Sequence, residues 1–171
     1  MKDPLISVII PSYNHCLFIK NAIESVIKQT YLNWELIVVD NNSTDNTNKI
    51  LNEFRQHNLN VIKVTNNGVI AISRNIGIKA SKGNWIAFLD SDDSWKENKL
   101  EICVKEMKSG IDLIYHDLII HDLNYRFYKK KKLKGRFLSN PPIIDLLCHG
   151  NCIYNSSVIV KKYILEEIGY I

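Results

Sequence analysis

The sequence predicts an α/β fold in which helices cover both faces of an open, mostly parallel sheet, and three observations carry that prediction. Short apolar, β-branched runs alternate with stretches of helical periodicity along most of the chain. Turn residues bound each run, and three of the first four runs end in polar clusters able to hold a ligand. With 171 residues, 46% of them hydrophobic, the chain suits a single domain over 1–171 with an adequate core.

Residues 5–10 form a first strand that Pro11 stops, leaving through the turn Pro11-Ser12-Tyr13-Asn14. Ile19, Ala22, Ile23, Val26 and Ile27 then follow helical spacing up to Gln29-Thr30. A second buried strand over 34–39 enters Asp40-Asn41-Asn42-Ser43-Thr44-Asp45, where Ser43 or Thr44 is placed to cap a helix carrying Ile50, Leu51 and Phe54. Residues 61–64 give a short third strand, Asn67-Gly68 a turn, and 71–81 a helix that closes at Gly83. The fourth strand, 85–89, delivers the acids Asp90-Ser91-Asp92-Asp93, and Asp93 or Ser94 is expected to cap a helix from about Glu97 that ends at Gly110. Strand-helix alternation at this cadence argues for right-handed βαβ units. Beyond it we expect a strand over 113–120, a hairpin strand over 125–128, an exposed basic loop, a helix from Pro141-Pro142 to Leu147, a strand over 152–160 and a last helix over 163–168.

In a parallel sheet the exits at 11–14, 40–45 and 90–93 lie along one edge and can form one pocket. Tyr13 offers a face on which a base can stack, and Asp40 and Asn41 offer hydrogen bonds to a pyrimidine edge. Alternation along an extended backbone points Asp90 and Asp92 to one side and Asp93 to the other. An acidic turn that merely starts the next helix would look similar locally. A calcium-binding EF-hand loop does not fit, because Trp95 stands where that loop needs glycine and a strand precedes it. No Gly-x-Gly-x-x-Gly or Gly-x-x-x-x-Gly-Lys-Ser loop follows any strand, so phosphate must be held otherwise. A diphosphate about 5 Å from Asp90 and Asp92 would meet a repulsion of about 3 kcal/mol per charge pair at an effective dielectric near 20. A cation is therefore required, and Mg²⁺ or Mn²⁺ on one or two carboxylates, completed by phosphate oxygens and water, suits the pattern. Arg74 is placed to add a second positive charge.

Charge and cysteine use narrow the classes further. The net charge of +4 is unevenly placed, since Lys129, Lys130, Lys131, Lys132, Lys134 and Arg136 supply six of the 22 basic residues. Interleaved with Tyr125, Phe127, Tyr128, Leu133 and Phe137, this stretch is either a solvated loop or a contact for an anionic membrane; no nucleic-acid reading element accompanies it. Cys16, Cys103, Cys148 and Cys152 contain no Cys-x-x-Cys pair and are expected to be buried, reduced thiols. His116 and His121 fall on opposite faces of their strand, which argues against a shared metal. No apolar run approaches the roughly 20 residues that span a bilayer, and the start lacks a signal peptide's apolar region, so a cytoplasmic protein is expected.

The stretches Val8-Ile-Ile-Pro-Ser-Tyr-Asn14, Ser25-Val-Ile-Lys-Gln-Thr30, Trp34-Glu-Leu-Ile-Val-Val-Asp40, Ser43-Thr-Asp45, Ser73-Arg-Asn-Ile-Gly77 and Phe88-Leu-Asp-Ser-Asp-Asp93, in this order, resemble the family 2 glycosyltransferases of GT-A (Rossmann-like) fold. The resemblance runs from about Leu5 to Ile171 and is strongest up to Trp95. It implies a three-layer fold, a nucleotide-binding half over 1–95 and the start of an acceptor-side half over 96–171. It also implies inverting transfer of a sugar from a nucleotide-diphosphate donor, UDP type first, to a glycan or lipid-linked acceptor hydroxyl in cell-envelope glycan synthesis. Position by position it gives Pro11 and Tyr13 to the nucleobase, Arg74 to the base or diphosphate, Asp90 to ribose and metal, and Asp92 to the metal.

Two departures accompany the resemblance. Asn41 stands where the family commonly has an Asp that accepts from the uracil ring nitrogen; its amide both accepts and donates, which loosens selectivity among UDP, TDP and GDP. The family's general base is typically an Asp in a motif after a Gly-Gly-Phe-like turn, and Ile168-Gly-Tyr-Ile171 resembles the beginning of that turn. The base is therefore expected beyond Ile171, and the chain is expected to be a fragment; Asp145, Glu166 and Glu167 lack the motif, and His149 is only a weak substitute. The alternative reading is a catalytically silent nucleotide-sugar-binding module.

Overall fold

The computed structural model describes residues 3–120 and 131–171. In chain order the described elements are β1 (Ile6–Ser12), α1 (Ile19–Ile27), β2 (Trp34–Asp40), α2 (Thr47–Glu53), β3 (Leu59–Lys63), α3 (Ile70–Ala80), β4 (Trp85–Phe88), α4 (Lys99–Glu106), β5 (Leu113–Ile114), β6 (Leu118–Ile120), β7 (Lys131–Leu133), α5 (Pro142–His149), β8 (Ile159–Lys161) and α6 (Lys162–Glu167). The main sheet has the order β3-β2-β1-β4-β8-β5. Its first four strands are mutually parallel, while β8 runs antiparallel to both β4 and β5.

Alternation along the central strands separates two cores. Ile6, Val8 and Ile10 of β1, with Leu36 and Val38 of β2 and Ala87 of β4, pack under α1, α2 and α4. Ile9, Ile86 and Phe88 face the other way, against Ile78 of α3 and Leu165 of α6. Both faces are covered, which gives the three-layer α/β arrangement that the resemblance implies. Gly77 sets the closest approach of α3 to the sheet, because a Cβ built there would lie 2.5 Å from Ile9 Cγ2. Among the described residues no helix is long and apolar enough to cross a membrane.

Several boundaries differ from expectation, each for a physical reason. Pro11 does not stop β1. Ile9 O accepts from Leu89 N–H at 3.1 Å, so Pro11, two residues on, turns its missing N–H to the same side, beyond the last β1–β4 pair at Ile9 and Phe88. Neither Ser43 nor Thr44 caps α2, since the Ser43 hydroxyl is engaged by Asp40 and it is Asp45 Oδ1 that accepts Thr47 N–H at 2.9 Å. Asp93 and Ser94 do not cap α4 either; Asp93 accepts from Ser156 Oγ at 2.5 Å.

The strand expected over 113–120 is broken. Tyr115 OH donates to Arg136 O, while Asp117 accepts Gly135 N–H at 2.8 Å and pairs with Lys132 at 2.6 Å, so the chain leaves the main sheet to form the β6–β7 hairpin. Part of the basic stretch, Lys131–Leu133, is thus a strand rather than a loop. The strand expected over 152–160 shrinks to β8, preceded by a 3₁₀ turn at Asn155–Ser157 in which Ser157 N and Oγ both donate to Tyr154 O. Cys103 and Cys152 are buried as expected, whereas Cys148 is exposed and Cys16 half-buried. His121, the hairpin strand over 125–128, Lys129 and Lys130 lie outside the described residues.

Candidate functional site

A cleft of about 340 Å³ opens at the C-terminal edge of the sheet, lined by residues from the exits of β1, β2 and β4 and by the start of α3. Pro11, Tyr13, Asn41, Asp90 and Asp92 all border it, as do Ser12, His15, Asn66 and Ser73. Tyr13 is 54% exposed, so its ring is an open face rather than a core side chain.

The walls are held by side chain to backbone bonds between exits far apart in sequence. Asn14 takes a left-handed backbone (φ 52) and its Oδ1 accepts Thr44 N–H at 2.8 Å, while its own N–H donates to Ser43 Oγ at 2.9 Å. Asp40 is fully buried and does not line the cleft; its carboxylate accepts Ser43 N–H at 3.3 Å and the Ser43 hydroxyl, and so fixes the turn that carries Asn41. Asn41 Oδ1 accepts Asn66 N–H at 3.0 Å, and Asn66 Nδ2 donates to Ser73 Oγ at 2.7 Å, which ties β2's exit to α3. Burial works against ionisation of Asp45, but hydrogen bonds from Thr47 and from Cys16 N–H outweigh it and hold this carboxyl well below the usual range.

At the acidic turn the backbone bends at once, Asp93 N–H donating to Asp90 O at 3.0 Å, so simple alternation does not govern the three aspartates. Asp90 receives Arg74 Nη2 on Oδ1 at 2.7 Å, and its N–H donates to Ser156 Oγ at 3.0 Å. Asp92 is exposed on the cleft. Asp93 is an exposed residue, yet desolvation of its carboxyl together with the neighbouring charges of Asp92 and Asp90 pushes that carboxyl up, against the pull of Ser156. Behind it Lys99 is buried with Nζ 3.5 Å from the Trp95 ring centroid and 3.0 Å from Ser156 O. Burial pushes the Lys99 ammonium down to about 7.

Sequence reasoning missed His15, Asn66 and Ser91. His15 Nδ1 and Ser91 Oγ are 2.5 Å apart, joining β1's exit to the acidic turn, and only the order of the exits hints at it. Ser12 Oγ, Asn66 Oδ1 and Arg74 Nε are buried without a partner among the described residues. Polar atoms left in this state cost about 1–3 kcal/mol each, which a ligand bringing its own hydrogen bonds relieves. The donor set also fits Mg²⁺ or Mn²⁺: hard carboxylate oxygens of Asp90 and Asp92 in an open cleft suit an ion that keeps water and takes phosphate oxygens, rather than an all-protein cage.

Asp145 is one of the carboxylates considered as a base, and its surroundings are those of a structural group. It accepts Ser139 N–H at 3.0 Å, Ser139 Oγ at 2.8 Å and Arg136 Nη2 at 2.5 Å, and these bonds hold its carboxyl far below the usual range. Such a group is a poor proton acceptor.

Residues 7–167 match the family model described as glycosyl transferase family 2. The chain is 39% identical over 172 residues to the UDP-Glc:alpha-D-GlcNAc-diphosphoundecaprenol beta-1,3-glucosyltransferase WfgD of Escherichia coli, an alignment covering 99% of this chain and 65% of that protein. To WfaP, an E. coli glucosyltransferase of the same description, it is 33% identical over 165 residues, covering 96% of this chain and 62% of the relative. Among solved structures, Staphylococcus aureus TarS 1-349 in complex with UDP superposes with a TM-score of 0.73 at 27% identity, over 96% of this chain and 48% of that one. The chain therefore spans less than two thirds of each of these relatives. Motifs in order, a three-layer sheet with its cleft at the expected edge and a family match over nearly the whole length agree: the chain belongs to glycosyl transferase family 2.

Proposed function

We propose that the cleft binds a nucleotide-diphosphate sugar and that the chain serves its transfer, with inversion, to an acceptor hydroxyl in cell-envelope glycan synthesis. One observation carries this reading: an open aromatic face (Tyr13), two acids (Asp90 and the exposed Asp92) and unpartnered polar atoms of Ser12 and Asn66 are grouped at one cleft, with the buried Arg74, itself outside the lining, bonded to Asp90 from behind. UDP is the first candidate base, because WfgD is named for UDP-Glc and TarS was solved with UDP. The same name, with its diphosphoundecaprenol, supports a lipid-linked acceptor. Peripheral contact of Lys129, Lys130, Lys131, Lys132, Lys134 and Arg136 with the inner face of an anionic membrane belongs to the same proposal.

In this reading Pro11 and Tyr13 pack on the base, Asn41 and Asn66 read its edge, and Asp40 acts indirectly by fixing the turn that bears Asn41. Arg74 lies within one hydrogen bond of Asp90 and answers diphosphate charge. Asp90 and Asp92 would hold Mg²⁺ or Mn²⁺, which would supply Lewis-acid stabilisation to a departing diphosphate. The acceptor oxygen attacks the anomeric carbon, the bond from that carbon to the diphosphate oxygen breaks, and the nucleoside diphosphate leaves with the electron pair. The acceptor's proton passes to a general base, and Asp145, held far below the usual carboxylate range by Ser139 and Arg136, is not that group.

Titration calorimetry with UDP, TDP and GDP, each with Mn²⁺ and with chelator, tests the reading. UDP binding strengthened by Mn²⁺ is expected, and absence of binding to all three nucleotides sinks it. Nucleotide binding with neither donor hydrolysis nor transfer would favour the silent binding module.

A further inference from the structure

Helix α5 is built inside out. Its one buried side chain is the charged Asp145, whereas Ile143 (62% exposed), Ile144 (55%) and Leu147 (78%) face outward. Ile143 and Leu147 stand one turn apart and form a single stripe, about 160° around the helix from Asp145. The buried acid explains the orientation. Ser139 and Arg136 both bond Asp145, so the polar contact holds the helix down by its hydrophilic side and leaves the apolar side free.

Phe137, 101% exposed, follows Arg136 directly, and the Arg136 guanidinium fastens that segment to α5. Upstream of it stand Lys131, Lys132 and Lys134, all exposed. Lys132 is paired with Asp117, while Lys131 and Lys134 form no ion pair among the described residues. Three large apolar side chains on one short helix and a fourth on the segment tied to it, with a basic strand just upstream of that segment, are more than scattered surface hydrophobics.

We infer that the outer face of α5, with Phe137, is a membrane-seating surface that enters the headgroup region of an anionic bilayer, the neighbouring lysines meeting its phosphates. The amphipathic logic is that of an interfacial helix, with apolar burial and charge attraction acting together. Charge complementarity selects this occupant over a second copy of the chain, because Lys131 and Lys134, exposed and without an ion pair among the described residues, precede the segment that Arg136 ties to α5, and an anionic surface answers them where a second copy brings only the same positive charge. The inference deepens and rests on the membrane contact proposed above. It stands apart from the cleft, so either can fail alone.

Co-sedimentation with vesicles of phosphatidylcholine alone and of phosphatidylcholine with phosphatidylglycerol tests it, on the full chain and two double variants. The parent chain is expected to sediment only with the anionic vesicles. Ile143→Glu with Leu147→Glu should cut that partitioning at least tenfold, and Lys131→Gln with Lys134→Gln by about 25-fold, at roughly fivefold per basic residue near the surface. Phe137→Trp should be quenched by bromine-substituted lipid, which reports insertion rather than surface attraction. Equal sedimentation of the parent and Ile143→Glu/Leu147→Glu chains overturns the inference. So does a lipid-independent dimer that the same double variant abolishes, which would assign the face to self-association. Unchanged UDP titration of the variant shows that its cleft is intact and separates this failure from that of the nucleotide reading.

Discussion

Arg74 and Asp90, on α3 and at the exit of β4, meet through Nη2 and Oδ1 at 2.7 Å, with side chains 10% and 29% exposed. The pair holds a cation against the acid turn before any nucleotide arrives. Arg74→Ala should leave Asp90 poorly compensated, costing about 2 kcal/mol of stability, less than a fully buried pair because Asp90 retains some water. It should also weaken UDP binding at least tenfold. Arg74→Lys keeps the charge but loses the planar fork, and an intermediate loss is expected. Thermal unfolding and calorimetry on the two variants check both numbers.

Asp92 and Asp93 differ by one position and should differ in kind. Asp92→Asn is expected to abolish the gain that Mn²⁺ gives to UDP binding, a few kcal/mol at most on the scale of about 3 kcal/mol per unscreened charge pair. Asp93→Asn should leave that gain standing and act on stability instead. The sign follows from its raised carboxyl: stability tied to the protonated form is full below the unfolded value and is lost as pH rises through the folded one. Asp93→Asn should therefore look more favourable, relative to the parent, at neutral pH than in acid. Equal loss of the Mn²⁺ effect in both variants would refute the division.

Lys99 gives a second pH signature, of opposite direction. Burial brings its ammonium down to about 7, although the Trp95 face and the Ser156 carbonyl favour the charged form. Between that value and its ordinary one near 10.5 the unfolded chain binds the extra proton, so stability should rise with pH across the window and level off below it. Lys99→Met should flatten the rise, a difference on the order of 3 kcal/mol at the alkaline end. Denaturant titrations at several pH values measure the slope.

Gly77→Ala places a methyl 2.5 Å from Ile9 Cγ2, and α3 must move to admit it. A destabilisation of about 1–3 kcal/mol is expected for such overpacking. Because α3 carries Arg74 and Ser73, UDP affinity should fall as well. Ile9→Ala removes Cγ2 itself, and a double variant less destabilised than the sum of the two single changes would identify the contact as the cause.

The parts of this molecule legible in sequence are those where one residue's periodicity decides its face. Val8, Ile9 and Ile10 alternate into the two cores, and the exits after β1, β2 and β4 fall along one edge, so the cleft's Pro11, Tyr13, Asn41, Asp90 and Asp92 could be placed from the pattern alone. What the pattern hid depends on partners far along the chain. Ser43 looks like a helix cap but answers Asp40; Asp93 looks like another but answers Ser156, 63 positions away. Asn66 sits in a loop with no periodicity, and only its bonds to Asn41 and Ser73 make it a wall of the cleft. Similarly, residues 113–120 have the composition of one strand, and the bonds of Tyr115 and Asp117 to the segment around Gly135 pull them into two.

Strand β1 outruns β4: the last rung between them joins Ile9 to Phe88, while β1 continues alongside β2 to the rung of Ser12 with Asp40. At about 3.3 Å per residue the overhang of three residues is a notch roughly 10 Å long in the rim of the sheet. Its floor is Pro11, the one residue type that leaves no amide unanswered where a neighbouring strand is missing. The dimension of the seat is thus counted in rungs, and lengthening β4 by a single pair would shorten it by a third without touching any residue that lines it.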